Sequence, residues 1–262
     1  MREEVSLGQS GQMKVLSRDA IKYIGMFTML LNHIANIFMT RGTLLHQVMI
    51  AVGFFTAPVM LYFLVEGYHL THSRLRYFLR LFFFALLSEV PFCLAFGLAA
   101  QGRIVFCGMN MLFTLCLCFA LIWAMENIFN EMLRLGIVIA VILASTVFAF
   151  DWGYFAPMFT LLFLRAWRME SRPALAAAFG IPAVLFGLED VLSFFIMYKV
   201  PLGTAAVFGV ISAAAIMLAG ICILYLYNGR RAGRGRTFSK WFFYLFYPLH
   251  LCVLAAVKLL AA

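Results

Sequence analysis

Residues Ser17–Phe38 read SRDAIKYIGMFTMLLNHIANIF. The stretch opens on Arg18, Asp19 and Lys22, then runs to Phe38 with no further lysine, arginine or carboxylate. Its polar interruptions are Thr28, Asn32, His33 and Asn36. A membrane-crossing helix needs about 20 mostly apolar residues, and basic residues at its mouth mark the cytoplasmic side. Residues 1–17 are polar and of mixed charge. A secretory signal would instead show a short basic start, one apolar run and a small-residue cleavage site. The stretch is therefore read as a retained first helix behind a polar cytoplasmic lead-in.

Apolar runs of this kind recur to the end of the 262-residue chain. Hydrophobic residues make up 65% and charged residues 12%, against about 45–50% and about 25% in soluble domains. Too few polar residues remain to cover a water-facing surface, which excludes a soluble globular protein. The same figures exclude disorder, which needs low hydrophobicity and high charge. The net charge of +9 would point to nucleic acid in a soluble protein; here it reads as topology, with the lipid bilayer as partner and no nucleic acid. The six cysteines, Cys93, Cys107, Cys116, Cys118, Cys222 and Cys252, fall mostly in apolar runs, where cysteine acts as a small hydrophobe. They suggest neither a disulfide framework nor a metal site.

The runs lie at about 19–39, 45–66, 77–99, 109–127, 132–150, 154–168, 174–196, 204–226 and 241–260. They predict an all-α polytopic membrane protein of about nine transmembrane helices, in a range of eight to ten. Short loops join them into one membrane-embedded domain spanning 1–262. With a cytoplasmic N-terminus, 16 lysines and arginines fall on the cytoplasmic side and 4 on the other. That is a strong positive-inside bias.

Ionisable groups within spans are costly and point to function. His33, Glu89 and His250 each fall 10 to 13 residues past a cytoplasmic basic residue. At 1.5 Å per residue they share a depth of about 15–20 Å. Such a layer suits a reaction centre, a proton pathway, or three separately satisfied polar groups. Lys22 and His33, eleven residues apart, lie on one helix face about 16–17 Å apart along the axis. The extended pantetheine arm of coenzyme A spans a comparable distance. Lys22 would hold phosphate while His33 meets the thioester; alternatively Lys22 snorkels and His33 is a packed core residue. Imidazole can take a proton from an acceptor and return it to a leaving thiolate. Asn36, one turn on, can orient the ring or donate to an oxyanion.

Other signals are weaker. Glu66, His69 and His72 form an E-x-x-H-x-x-H run, but this spacing spreads over about 120° of helix and reads as juxtamembrane rather than metal-binding. The loop YNGRRAGRGR at 227–236, followed by Lys240, can cradle phosphates through Asn228, Arg230, Arg231 and Arg234, or merely set topology and attract anionic lipid. Glu189 and Asp190 either face an acceptor on the outer side or cap an interrupted helix.

Several stretches resemble the TraX family of integral membrane proteins, named for the F-pilin acetylase. They are Ser17–Phe38, APVMLYFLVEGYHLTHS at Ala57–Ser73, YFLRLFFFALLSEVPF at Tyr77–Phe92, MNMLFTL at Met109–Leu115, LYNG at Leu226–Gly229 and FFYLFYPLHL at Phe242–Leu251. The Lys22/His33 spacing also resembles the acyltransferase-3 family. The resemblance implies a bacterial inner-membrane enzyme moving an acetyl group from acetyl-CoA to an amine or hydroxyl acceptor. His33 would be catalytic, Lys22 would serve the cofactor, and Glu66, Tyr247 and His250 would line the site. Two positions depart from the family pattern: Asn32 stands where Asp is common, and Phe54 where Arg commonly follows Gly53. The rival reading is a proton-coupled transporter or flippase using the His33, Glu89 and His250 layer.

Overall fold

Capping side chains and prolines set the helix boundaries in the computed structural model, which describes residues 15–103 and 105–260. The lead-in read at 1–17 lies outside the described residues up to residue 14. The described residues form ten α-helices and no strand: α1 (Arg18–Phe38), α2 (Leu44–Gly53), α3 (Thr56–Leu70), α4 (Arg74–Gln101), α5 (Met111–Asn127), α6 (Glu131–Val147), α7 (Phe155–Met169), α8 (Arg172–Ile196), α9 (Leu202–Ile221) and α10 (Arg236–Leu260). A π-helical turn, Cys222–Leu226, prolongs α9. Ser17, Thr43, Ser73, Asn110, Asn130 and Ser171 each cap a helix by accepting a backbone N–H in its first turn, which satisfies donors that have no helical partner.

Five helical stretches are long and apolar enough to cross a membrane: Leu44–Leu70, Arg74–Gln101, Arg172–Ile196, Leu202–Leu226 and Arg236–Leu260. The chain is a multi-pass membrane protein. Every apolar run read from the sequence carries helix, but the second is broken. Pro58, the third residue of α3, has no N–H, and its ring crowds the carbonyl four residues back, at Phe54. The chain tightens there, with Phe54 N–H donating to Ala51 O at 2.9 Å and Phe55 N–H to Val52 O at 3.3 Å. Glu189 and Asp190 sit inside α8 rather than in a loop, and Tyr154 Oη donates to Glu189 Oε2 at 2.6 Å.

Helices α1 and α10 lie side by side and run in the same direction. Tyr23 Oη meets Ser239 Oγ at 3.1 Å, His33 meets His250 farther along, and Lys258 Nζ lies 5.8 Å from the centre of the Phe38 ring near the far end. On the other flank of α1, Gly53 of α2 comes so close that a Cβ there would stand 2.2 Å from Asn32 Cβ. Asn32 Nδ2 donates across the same contact to Ile50 O at 2.7 Å. Gly53→Ala should therefore push α1 and α2 apart and cost about 1–3 kcal/mol, in the range of overpacked cores. The check is thermal unfolding in detergent; an unchanged melting temperature would refute the tight crossing.

Helices α5 and α7 are short, at 17 and 15 residues. The segments leading into them fold inward against each other. Met109 N–H donates to Ala149 O at 3.1 Å and Asp151 N–H to Met109 O at 2.9 Å. The first turn of α5 is thereby brought level with the middle of α4, where it meets Glu89.

Candidate functional site

The centre of the molecule holds a histidine relay. His250 Nδ1 lies 2.7 Å from the carbonyl of Phe246. A carbonyl only accepts, so Nδ1 carries the proton and Nε2 of neutral His250 has a lone pair. His33 Nδ1 lies 2.7 Å from that Nε2 and is the donor. His33 Nε2 is left with the free lone pair, the form a general base requires. The two rings stack at 5.0 Å, Phe96 meets the His33 ring edge-on at 5.3 Å, and Tyr247 meets it at 6.3 Å. Both histidines are buried.

A cavity of about 1240 Å³ leads to this relay from the end where α1, α4 and α10 begin. Ligand pockets are commonly about 300–1,000 Å³, so this one has room for a large ligand. Its inner end is formed by Met29, Met111 and Tyr247, one helical turn short of the histidines. Tyr247 Oη accepts the Met111 N–H at 3.3 Å, which leaves the Tyr247 hydroxyl proton available to another acceptor. The outer walls carry Arg18, Lys22, Arg80, Arg230, Arg231, Arg236 and Lys240 against the single carboxylate of Asp19. Lys22 Nζ sits between two rings, 5.7 Å from Phe63 and 5.3 Å from Phe243, contacts that favour the cation.

The basic loop is tied down over the mouth. Asp19 Oδ2 accepts Ala232 N–H at 2.8 Å, and Arg18 N–H donates to Arg230 O at 2.8 Å. Gly229 turns the chain at φ +75°, a conformation that glycine adopts at little cost. Behind the wall, the Arg18 guanidinium is hydrogen-bonded to Glu66 Oε2, and Tyr227 Oη donates to Glu66 Oε1 at 2.8 Å. Burial and the neighbouring Glu66 carboxylate push the Tyr227 phenol up from its ordinary value, so it stays a donor. The π turn delivers Tyr227 there: its N–H reaches back five residues to Cys222 O at 3.0 Å. Such turns recur at functional sites.

Several sequence expectations meet in this place and others do not. Lys22, Asn228, Arg230, Arg231, Lys240 and Tyr247 line the cavity, while Arg234 does not. Glu66 lies behind the lining, paired with Arg18 and Tyr227. Glu89, expected in a layer with His33 and His250, takes its hydrogen bonds from the start of α5. It accepts Asn110 N–H at 3.2 Å and Asn110 Nδ2 at 2.7 Å, because the recessed start of α5 presents donors and a positive helix end that a carboxylate satisfies. Asn36 does not serve the His33 ring: its Nδ2 donates to Asn32 Oδ1 at 2.8 Å and Asn32 O at 3.1 Å. Glu66, His69 and His72 diverge, with His69 Nε2 3.7 Å from Glu126 Oε1.

The two departures have local explanations. Asn32 spends its amide proton on Ile50 O, which a carboxylate could not do. Phe54 packs on Phe186 at 4.8 Å and Trp152 at 5.7 Å, an aromatic cluster with no room for a solvated guanidinium. The sequence reading passed over Arg80 as a cavity residue and Tyr227 as the partner of Glu66. Tyr227 carried one signal, its place at the junction of the last apolar stretch and the basic loop.

These features define a multi-pass membrane protein with a cation-lined cavity that ends one helical turn short of a buried histidine pair. The TraX protein family model matches residues 17–258, and the chain belongs to that family. A curated relative, the probable fimbrial assembly protein FimC, serogroup H1, of Dichelobacter nodosus, is 29% identical over 245 residues, covering 91% of this chain and 94% of that protein. No solved structure matches the chain.

Proposed function

We propose that this is a membrane acyltransferase of nine transmembrane helices with its N-terminus in the cytoplasm, which moves an acetyl group from cytoplasmic acetyl-CoA to an amine or hydroxyl acceptor. The observation that carries this reading is the lone pair of His33 Nε2, set by its bond to His250 just beyond the closed end of a cation-lined cavity. Membership of the TraX family supports it, and the relative's printed name supports an acceptor connected with fimbrial assembly.

On this reading Lys22, Arg230, Arg231, Arg236 and Lys240 hold the phosphates of the donor, and the pantetheine arm runs inward along α1. The acceptor nitrogen or oxygen attacks the thioester carbonyl while His33 Nε2 takes its proton. His250 Nε2 accepts from the opposite ring nitrogen and steadies the imidazolium. The Tyr247 hydroxyl donates to the oxyanion. The carbon–sulfur bond then breaks, and the proton passes from His33 to the departing thiolate. Glu89 takes its hydrogen bonds from the start of α5 rather than from either histidine, so no direct contact links all three groups of the proton-relay reading.

Incubating detergent-purified protein with radiolabelled acetyl-CoA tests the proposal: coenzyme A release or label transfer is expected, and neither hydrolysis, transfer nor binding would overturn it. Coenzyme A should also raise the melting temperature, since a ligand of the folded state stabilises it. Lys22→Met should weaken that binding about tenfold, the scale of one charge-assisted contact. An undiminished shift would remove Lys22 from the donor site.

A further inference from the structure

A second cavity, of about 570 Å³, opens at the opposite ends of the same three helices. It is lined by Asn36, Ile37 and Phe38 of α1, by Phe92, Phe96, Ala99 and Ala100 of α4 and by Lys258 of α10, with Arg41 from the following loop. It approaches the relay from the other side and is separated from it by Phe96. Phe96, part of its wall, touches the His33 ring edge-on at 5.3 Å, while Tyr247, part of the first cavity, touches the same ring at 6.3 Å. The histidine pair thus stands between two cavities that open at opposite ends of the parallel helices α1 and α10. The second cavity has walls of mixed character, with Phe92, Phe96 and Ala99 beside Asn36 and Thr40, and two cations, Arg41 and Lys258, with no carboxylate among its lining residues. Lys258 stands eight residues past His250 in the unbroken α10, which is about 12 Å along the axis.

We infer that this cavity binds the acceptor, and that the acceptor carries an anionic group, carboxylate or phosphate, about 12 Å by helix rise from the amine or hydroxyl that receives the acetyl group. Arg41 and Lys258 hold the anion, Phe92 and Phe96 enclose the connecting chain, and the nucleophile meets His33 from the side opposite the donor. The inference rests on the acyltransferase reading and adds the acceptor's entrance and charge. The separation of the two cations from the histidine pair calls for an extended molecule that reaches both, with Phe92 and Phe96 against its middle.

The test compares three acceptors with purified protein and radiolabelled acetyl-CoA: 8-aminooctanoate, 8-aminooctyl phosphate and octylamine, which lacks the anion. At least one anionic acceptor should exceed octylamine in kcat/KM by about tenfold, the worth of one ionic contact; the better of the two identifies the anion. Arg41→Gln and Lys258→Gln should erase that advantage by raising the acceptor KM, with the melting shift on coenzyme A retained. Equal use of all three acceptors, or an anion advantage that survives both variants, would overturn the inference while leaving the donor half standing. Absence of both coenzyme A binding and acetyl-CoA hydrolysis in the unmodified protein would instead overturn the acyltransferase reading, and this inference with it.

Discussion

Replacing His33 by glutamine should lower the rate of acetyl transfer by about 10²–10⁴-fold, the usual worth of a general base, while the protein still folds and binds coenzyme A. Glutamine keeps an N–H that can reach His250 Nε2, so the buried acceptor on His250 need not lose its partner. What it lacks is the lone pair that Nε2 of His33 holds in reserve. His33→Ala should lose the same activity and also leave His250 Nε2 unsatisfied at 7% exposure, a cost of about 1–3 kcal/mol. The pair of variants separates chemistry from packing: both should be inactive, and only the alanine should melt early. Turnover by His33→Gln at the unmodified rate would end the case for His33 as base.

Much of this site was legible along the chain because its parts share helices or helix directions. The helical period alone puts Lys22 and His33 on one face of α1. Counting spans and basic loops makes the first, third and last spans parallel, so that equal distances from the basic end give equal depth for His33 and His250. The structure has these two in contact. The same depth argument does not give Glu89 its partner, because depth says nothing about azimuth. Its partner Asn110 is 21 residues away and is brought there by a recessed helix start held against residues 149–151. Such a tertiary arrangement has no local sequence signature. Asn36 is a local case instead: its amide is satisfied within its own helix, four residues back at Asn32, a competition that the proximity of His33 obscured. Pro58 marked the break between α2 and α3, but the apolar composition on both sides concealed it.

Glu66→Ala should be the most destabilising single change at the cavity. Arg18 and Glu66 side chains are only 7% and 6% exposed, and removing one member of a buried pair strands the other charge at a cost of about 3–5 kcal/mol. The loss should appear as a large drop in melting temperature. Arg18→Met/Glu66→Met, which removes both charges, should regain most of it, since apolar replacements of buried pairs are often neutral or stabilising. A Glu66→Ala variant that melts like the unmodified protein would refute the buried pair. Stability alone therefore gives no reason to keep these two charges, and the geometry supplies another. Glu66 is the acceptor that holds Tyr227, Tyr227 ends the π turn, and the next residues carry the loop that Asp19 and the Arg18 backbone fasten over the cavity. The double variant should thus be stable yet bind coenzyme A more weakly, having lost both the Arg18 charge and the anchor of the loop. Tyr227→Phe isolates the second contribution: it leaves Arg18 and Glu66 paired, and any fall in coenzyme A affinity it causes measures how far the buried ion pair serves the loop above it.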